Sequence, residues 1–89
     1  MTLWLGVLIV DTGKQYLMDQ TKILKQLGLR IKAARKSKGL TQDEAAHRSG
    51  LARSYFGDIE RGSRNVAVFN LYKIADALEV SVKDFFEKE

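Results

Sequence analysis

Thr41-Gln-Asp-Glu-Ala-Ala-His-Arg-Ser-Gly50-Leu-Ala-Arg-Ser-Tyr-Phe-Gly-Asp-Ile-Glu60-Arg-Gly62 is the stretch whose reading decides the fold. Its first four residues match a capping box. The Thr41 hydroxyl accepts from the Glu44 amide and the Glu44 carboxylate accepts in return, so a helix starts there. That helix covers about 42–49 and stops before Gly50, which supplies the positive φ of a tight interhelical turn. A second helix covers about 52–61 and halts at Gly62, a natural residue just past a helix end. At about 100° per residue, Ala52, Tyr55, Phe56 and Ile59 share one face of it. Arg53, Ser54, Gly57, Asp58 and Arg61 share the other. One face packs and one is free, which predicts a helix-turn-helix that reads duplex DNA.

Working outward, helix-period patterning spans Thr21 to Ser37, with Ile23, Leu27, Ile31 and Ala34 on one inward stripe and a stop at Gly39. Downstream, Val68 to Leu78 carries Leu71, Ile74, Ala75 and Leu78 inward. A fifth helix starts after Ser81, where Ser-Val-Lys-Asp84 repeats the capping pattern and carries Phe85 and Phe86. There is no proline anywhere. The expected class is all-α, a five-helix DNA-binding domain over 21–89.

Residues 1–20 differ in kind. Leu3-Trp-Leu-Gly-Val-Leu-Ile-Val10 is rich in β-branched and aromatic residues, and Asp11-Thr-Gly-Lys14 is turn chemistry. This predicts a short β-strand or hairpin extension that pairs across a dimer, since two strands alone are marginal in water. The other reading places the natural start at Met18 and gives residues 1–17 no role.

The composition of the 89 residues, 45% hydrophobic, suits one compact domain with a modest core, stabilised further by association. With no cysteine and one histidine, neither a disulfide framework nor a metal site can be assembled. His47 is read as solvent-facing, with at most a phosphate role. No acid-base, nucleophile or metal constellation is present, so the expectation is a non-enzyme without cofactor or small-molecule ligand. The apolar run Leu3 to Val10 is too short to span a bilayer and lacks a basic flank, which points to a cytoplasmic, nucleoid-associated protein with no membrane role. Net charge is +4, but residues 21–65 hold eleven Lys or Arg against four acids, a local +7 that leaves −3 elsewhere. A polyanion would meet the middle of the chain.

The chain resembles the Cro/repressor-like (xenobiotic-response-element, XRE) helix-turn-helix regulators through Ile31-Lys-Ala-Ala-Arg35, Gly39-Leu-Thr-Gln42, Ala46, Gly50, Tyr55-Phe56, Ile59-Glu-Arg-Gly62 and Ile74-Ala-Asp-Ala-Leu-Glu-Val-Ser81. The likeness covers about 27–86. Arg53-Ser-Tyr55 followed by Ile59-Glu-Arg-Gly-Ser-Arg-Asn65 is most similar to the controller proteins of restriction-modification systems. The resemblance implies a salt bridge between Arg35 and Glu60, tying the first helix to the end of the third. It also makes Gln42 a DNA-backbone contact, which agrees with free amides and the positive dipole end at a helix start. Ala45 and Ser49 depart from the family pattern, which more often has larger apolar residues there; Phe56 is expected to refill the volume.

Arg53 and Ser54 occupy the first exposed turn of the recognition helix and are the expected base readers. Arg53 can bond guanine O6 and N7 together, or serve a phosphate. Tyr55 sits at the margin, with its ring packed and its hydroxyl toward a phosphate, or simply in the core. Gly57 costs about 1 kcal/mol inside a helix, and close approach to DNA is one reason to tolerate it. Asp58 either accepts from a cytosine amine or pairs with Arg61; the internal pair is preferred. Arg61, Arg64 and Asn65 look like phosphate clamps, with Arg64 placed by the resemblance at the backbone or a groove edge.

These residues together predict a homodimer on a pseudo-palindromic operator, autoregulatory and controller-like, meeting itself through Leu78, Val80, Val82 and Phe85 or Phe86. The alternative for those residues is ordinary core, and both roles can hold for different members. RNA polymerase or a toxin-like protein are the further partners considered. The rival reading is an antitoxin-type interaction module that binds a partner protein and autoregulates its operon.

Overall fold

The computed structural model describes the backbone of residues 2–86 and the side chains of residues 20–86. Among the described residues, four α-helices follow in order: α1 (Thr2–Ser37), α2 (Gln42–Ser49), α3 (Arg53–Arg61) and α4 (Val68–Leu78). A 3-10 turn, Val82–Phe85, is the last element among the described residues. No strand occurs among the described residues.

Two expectations change. The extension expected to be a strand or hairpin is helical from Thr2, continuous with the predicted first helix. β-Propensity is a weak, context-dependent preference, and a helix already formed beyond residue 21 extends without a new nucleation cost. The strand pairing expected across a dimer goes with it. The fifth helix is one 3-10 turn in the described residues, with the Asp84 amide donating to the Ser81 carbonyl at 2.9 Å and the Phe86 amide to that of Lys83 at 3.0 Å. Such i to i+3 bonding is the usual form of a short terminal turn. The Asp84 side chain still accepts from the Ser81 amide at 3.2 Å, one half of the predicted cap.

The ends of α2 follow local chemistry. The Thr41 hydroxyl accepts from the Glu44 amide at 3.1 Å and the Thr41 amide donates to Glu44 Oε1 at 2.8 Å. At the other end Gly50 adopts φ 70°, and Leu51 donates back to the Ala46 carbonyl at 2.9 Å. That closes the helix and turns the chain into α3.

Leu27 and Ile31 of α1, Ala45 and Ala46 of α2, Phe56 and Ile59 of α3, four residues of α4 and Phe85 form one core. Phe56 and the small Ala45 are both fully buried in this core. Ile23 was placed on the inward stripe but is 49% exposed, on the rim of a groove it lines with Leu27, Phe85 and Phe86. Gly28 sets how closely α1 crosses α3. A Cβ at this position would lie 2.4 Å from the Glu60 carbonyl oxygen and 2.5 Å from that of Ile59, both backbone atoms.

Candidate nucleic-acid interface

The anchor beneath α3 is ionic. Arg35 Nε donates to Glu60 Oε2 at 2.7 Å and Nη2 to Oε1 at 3.0 Å, a two-pronged pair with side chains 9% and 2% exposed. Arg35 Nη1 donates to the Leu40 carbonyl at 2.8 Å, so the guanidinium also holds the α1–α2 connection. The hydrogen bonds that Arg35 donates to Glu60 raise the Arg35 pKa further above its already high ordinary value. Gln42 Nε2 donates to Glu60 Oε1 at 2.9 Å. One buried carboxylate thus links α1, α2 and α3, and among the described residues no buried side-chain polar atom is left without a partner.

This anchor presents the other face of α3 to solvent. Arg53 and Ser54 are exposed in its first turn. Arg53 Nε lies 3.1 Å from Asp43 Oδ1 of α2, with both side chains about two-thirds or more exposed (67% and 73%). Tyr55 is half-buried; its hydroxyl accepts from Asn70 Nδ2 at 2.9 Å, and the Arg64 guanidinium stacks 5.2 Å from its ring centre. Arg61, the last residue of α3, and Arg64 and Asn65 beyond it are exposed.

Of the sequence assignments, the placing of Gly57 on the exposed face needs correction. Gly57 is not on the open surface: a Cβ there would stand 3.3 Å from Arg61 Nη1 and 3.5 Å from Gln42 Oε1, so it makes room for two side chains that lie over it. A helical wheel cannot show cover supplied by another helix. Asp58 faces its own chain: its carboxylate binds Arg61, and Arg64 Nη2 lies 3.4 Å from Oδ2. That is the internal pair preferred from the sequence, with a second arginine added. Of the expected dimer surface, Leu78 (0% exposed) and Phe85 (2%) lie in this chain's core, Val80 and Val82 are partly buried against it, and Phe86 is 51% exposed.

Sequence reasoning missed Asp43, Asn70 and Gly28. Asp43 passes for an ordinary acid in a helix first turn, and its pairing with Arg53 exists only once Gly50 has folded the two helices together. A polar residue in the otherwise apolar first half of α4 was the one available sign of Asn70.

No group of three or more His, Cys, Asp or Glu that could hold a metal occurs among the described residues, and no described helix is long and apolar enough to cross a membrane.

With this geometry in hand, the similarities to known proteins are specific. Residues 31–85 match the family described as Helix-turn-helix (HTH_3). The HTH-type transcriptional regulator y4dJ of Sinorhizobium fredii is 44% identical over 64 residues, covering 72% of this chain and 79% of that protein. The restriction-modification controller protein C.AhdI of Aeromonas hydrophila superposes with a TM-score of 0.70 at 44% identity, covering 71% of this chain and 96% of that one. The controller C.Esp1396I, solved as a tetramer with its natural 35 base-pair operator, gives a TM-score of 0.67 at 42% identity over 72% of this chain and 84% of that one. The chain therefore belongs to the helix-turn-helix family HTH_3, as a transcriptional regulator of the XRE and controller type.

Proposed function

We propose that the chain is a sequence-specific duplex-DNA regulator that acts as a homodimer on a pseudo-palindromic operator and controls its own promoter. The observation that carries this reading is α3 itself: Phe56, Ile59 and Glu60 are buried and ionically fixed, while Arg53 and Ser54 stand exposed in the first turn. The first turn of a recognition helix is the part that reaches base edges in the major groove.

Arg53 reads guanine through O6 and N7, and Ser54 supports it at a neighbouring edge. To do so Arg53 leaves Asp43, an exchange of one exposed ion pair that costs below about 1 kcal/mol. Gln42 meets the backbone through the start of α2, and Tyr55, Arg61, Arg64 and Asn65 complete the phosphate contacts. Asp58 keeps Arg61 and Arg64 together as one fork. Gly57 contributes space for Gln42 and Arg61, not a contact. In the dimer, Phe86 with the rims of Val80 and Val82 faces the second copy. Such a protein works in the cytoplasm at the nucleoid, with RNA polymerase as the further partner at its promoter.

Selection from random duplex DNA, followed by the size of the complex, tests this. The expected result is an inverted repeat with half-sites about one helical turn apart, bound by two protomers. Failure to enrich any sequence counts against base reading, and a single protomer on a single site counts against the dimer.

A second reading, an antitoxin-type module that binds a partner protein, is favoured by the α4 patch of Val68, Phe69 and Tyr72, which are 68%, 71% and 59% exposed. Stoichiometric co-purification of a second protein supports it, and a clean homodimer opposes it.

A further inference from the structure

A cleft between α1 and the ends of α2 and α3 is lined by Lys25, Leu29, Lys32, Gln42, Glu60 and Arg61. Gln42 and Arg61 are already proposed as DNA-backbone contacts; Lys25 and Lys32 come from α1, which that reading uses only as scaffold. Lys25, Leu29 and Lys32 follow at i, i+4 and i+7 and share one face, with the two lysines about 10 Å apart along the helix.

The cleft is rigidly placed. A Cβ on Gly62 would come 2.8 Å from Lys25 Cα, so the α1 backbone sits directly against the end of α3. Its charge is one-sided. Glu60 is the one acid among the lining residues, and its oxygens are occupied by Arg35 and Gln42. Arg61 is shared with Asp58. Lys25 and Lys32 are exposed, and neither belongs to any of the ion pairs of the described residues.

We infer that α1 extends the DNA-backbone track, with Lys25 and Lys32 each binding a phosphate beside those met by Gln42 and Arg61. The inference rests on the DNA-binding reading above and adds two contacts to it. A lysine ammonium is a point charge with no base information, so these contacts set affinity and salt dependence, not sequence choice. Unpaired lysines are suited to this, because no internal salt bridge has to break first.

The test uses the full chain, the duplex that the wild-type protein selects, and a scrambled duplex of equal length, titrated over a range of salt. Lys25→Gln and Lys32→Gln keep the stem and remove the charge. Each should lower the slope of log affinity against log salt by about 0.9 per bound protomer and weaken binding roughly five-fold at 0.15 M salt. The loss should be equal on both duplexes. A wild-type slope in the double variant overturns the inference, and so does a loss confined to the selected duplex, which would make these residues base readers. Lys25 lies against Gly62, so Lys32→Gln alone keeps the test open if the other variant misfolds. Wild-type protein that binds neither duplex removes the underlying reading and the inference with it, a result distinct from an unchanged slope.

Discussion

Two arginine–carboxylate pairs lie on opposite sides of α3. Arg35–Glu60 is nearly sealed from water, two-pronged, and bonded further to Leu40 and Gln42. Arg53–Asp43 is open to water and has one contact, at 3.1 Å. The same chemistry does different work because burial changes the cost of breaking it. A buried charge cannot lose its partner cheaply, so the inner pair fixes how the three helices meet. An exposed charge regains water, so the outer pair can be exchanged for DNA at little cost. Rigidity below and exchangeability above are what a reading surface needs.

The strongest way to break this contrast is to cut the inner pair. Arg35→Ala or Glu60→Ala should destabilise the domain by about 3–5 kcal/mol, a large share of a small domain's total, read in a denaturant titration. A double-mutant cycle between the two positions should show strong coupling, and additive losses would remove the pair's special role. Next comes the crossing that brings the pair together: Gly28→Ala pushes a methyl into the Glu60 and Ile59 carbonyls and should cost about 1–3 kcal/mol, read as a lowered melting temperature.

The outer pair should respond differently. Asp43→Asn should change stability by less than about 1 kcal/mol, and calorimetry showing a larger loss would put the exposed pair in the scaffold. Asp58→Asn removes a negative charge and releases the arginine fork. Binding to scrambled duplex should tighten while the ratio of operator to scrambled affinity falls, measured by anisotropy; an unchanged ratio would show that the fork does not set register.

The smallest effect is the acid limb of stability at the start of α2. The Thr41 amide, and then its hydroxyl, hold the Glu44 carboxyl below its ordinary pKa. The folded pKa is the lower one, so this contribution is present above the usual carboxylate range, about 4.3, and is lost as pH falls through the depressed value. Glu44→Gln should flatten the pH dependence of the melting temperature in that acid window, and an identical profile would show that the cap is not coupled to pH.

What could be read from the sequence divides along the same line. The bounds of α2 and α3 were legible because their causes are local: the Thr41–Glu44 cap, Gly50 and Gly62 each act within a turn. The Arg35–Glu60 pair was legible only through family resemblance, since the two residues are 25 apart. The cover over Gly57, the Asp43–Arg53 pair and the close crossing at Gly28 were not legible, because each is made by another helix arriving in space. A helical wheel likewise cannot tell a residue of its own core from one of a dimer surface, which is why Leu78 and Phe85 were grouped with Phe86. The extension misled for a different reason: its β-branched run expresses a preference that a continuing helix outweighs.

The most direct test of the whole account is the base preference of Arg53→Ala, determined by selection from random duplex DNA beside the wild-type protein. The account predicts a folded variant that loses discrimination at one position in each half-site, worth about 1–3 kcal/mol, with the rest of the operator retained. A variant that selects the same bases as wild type at every position would contradict it.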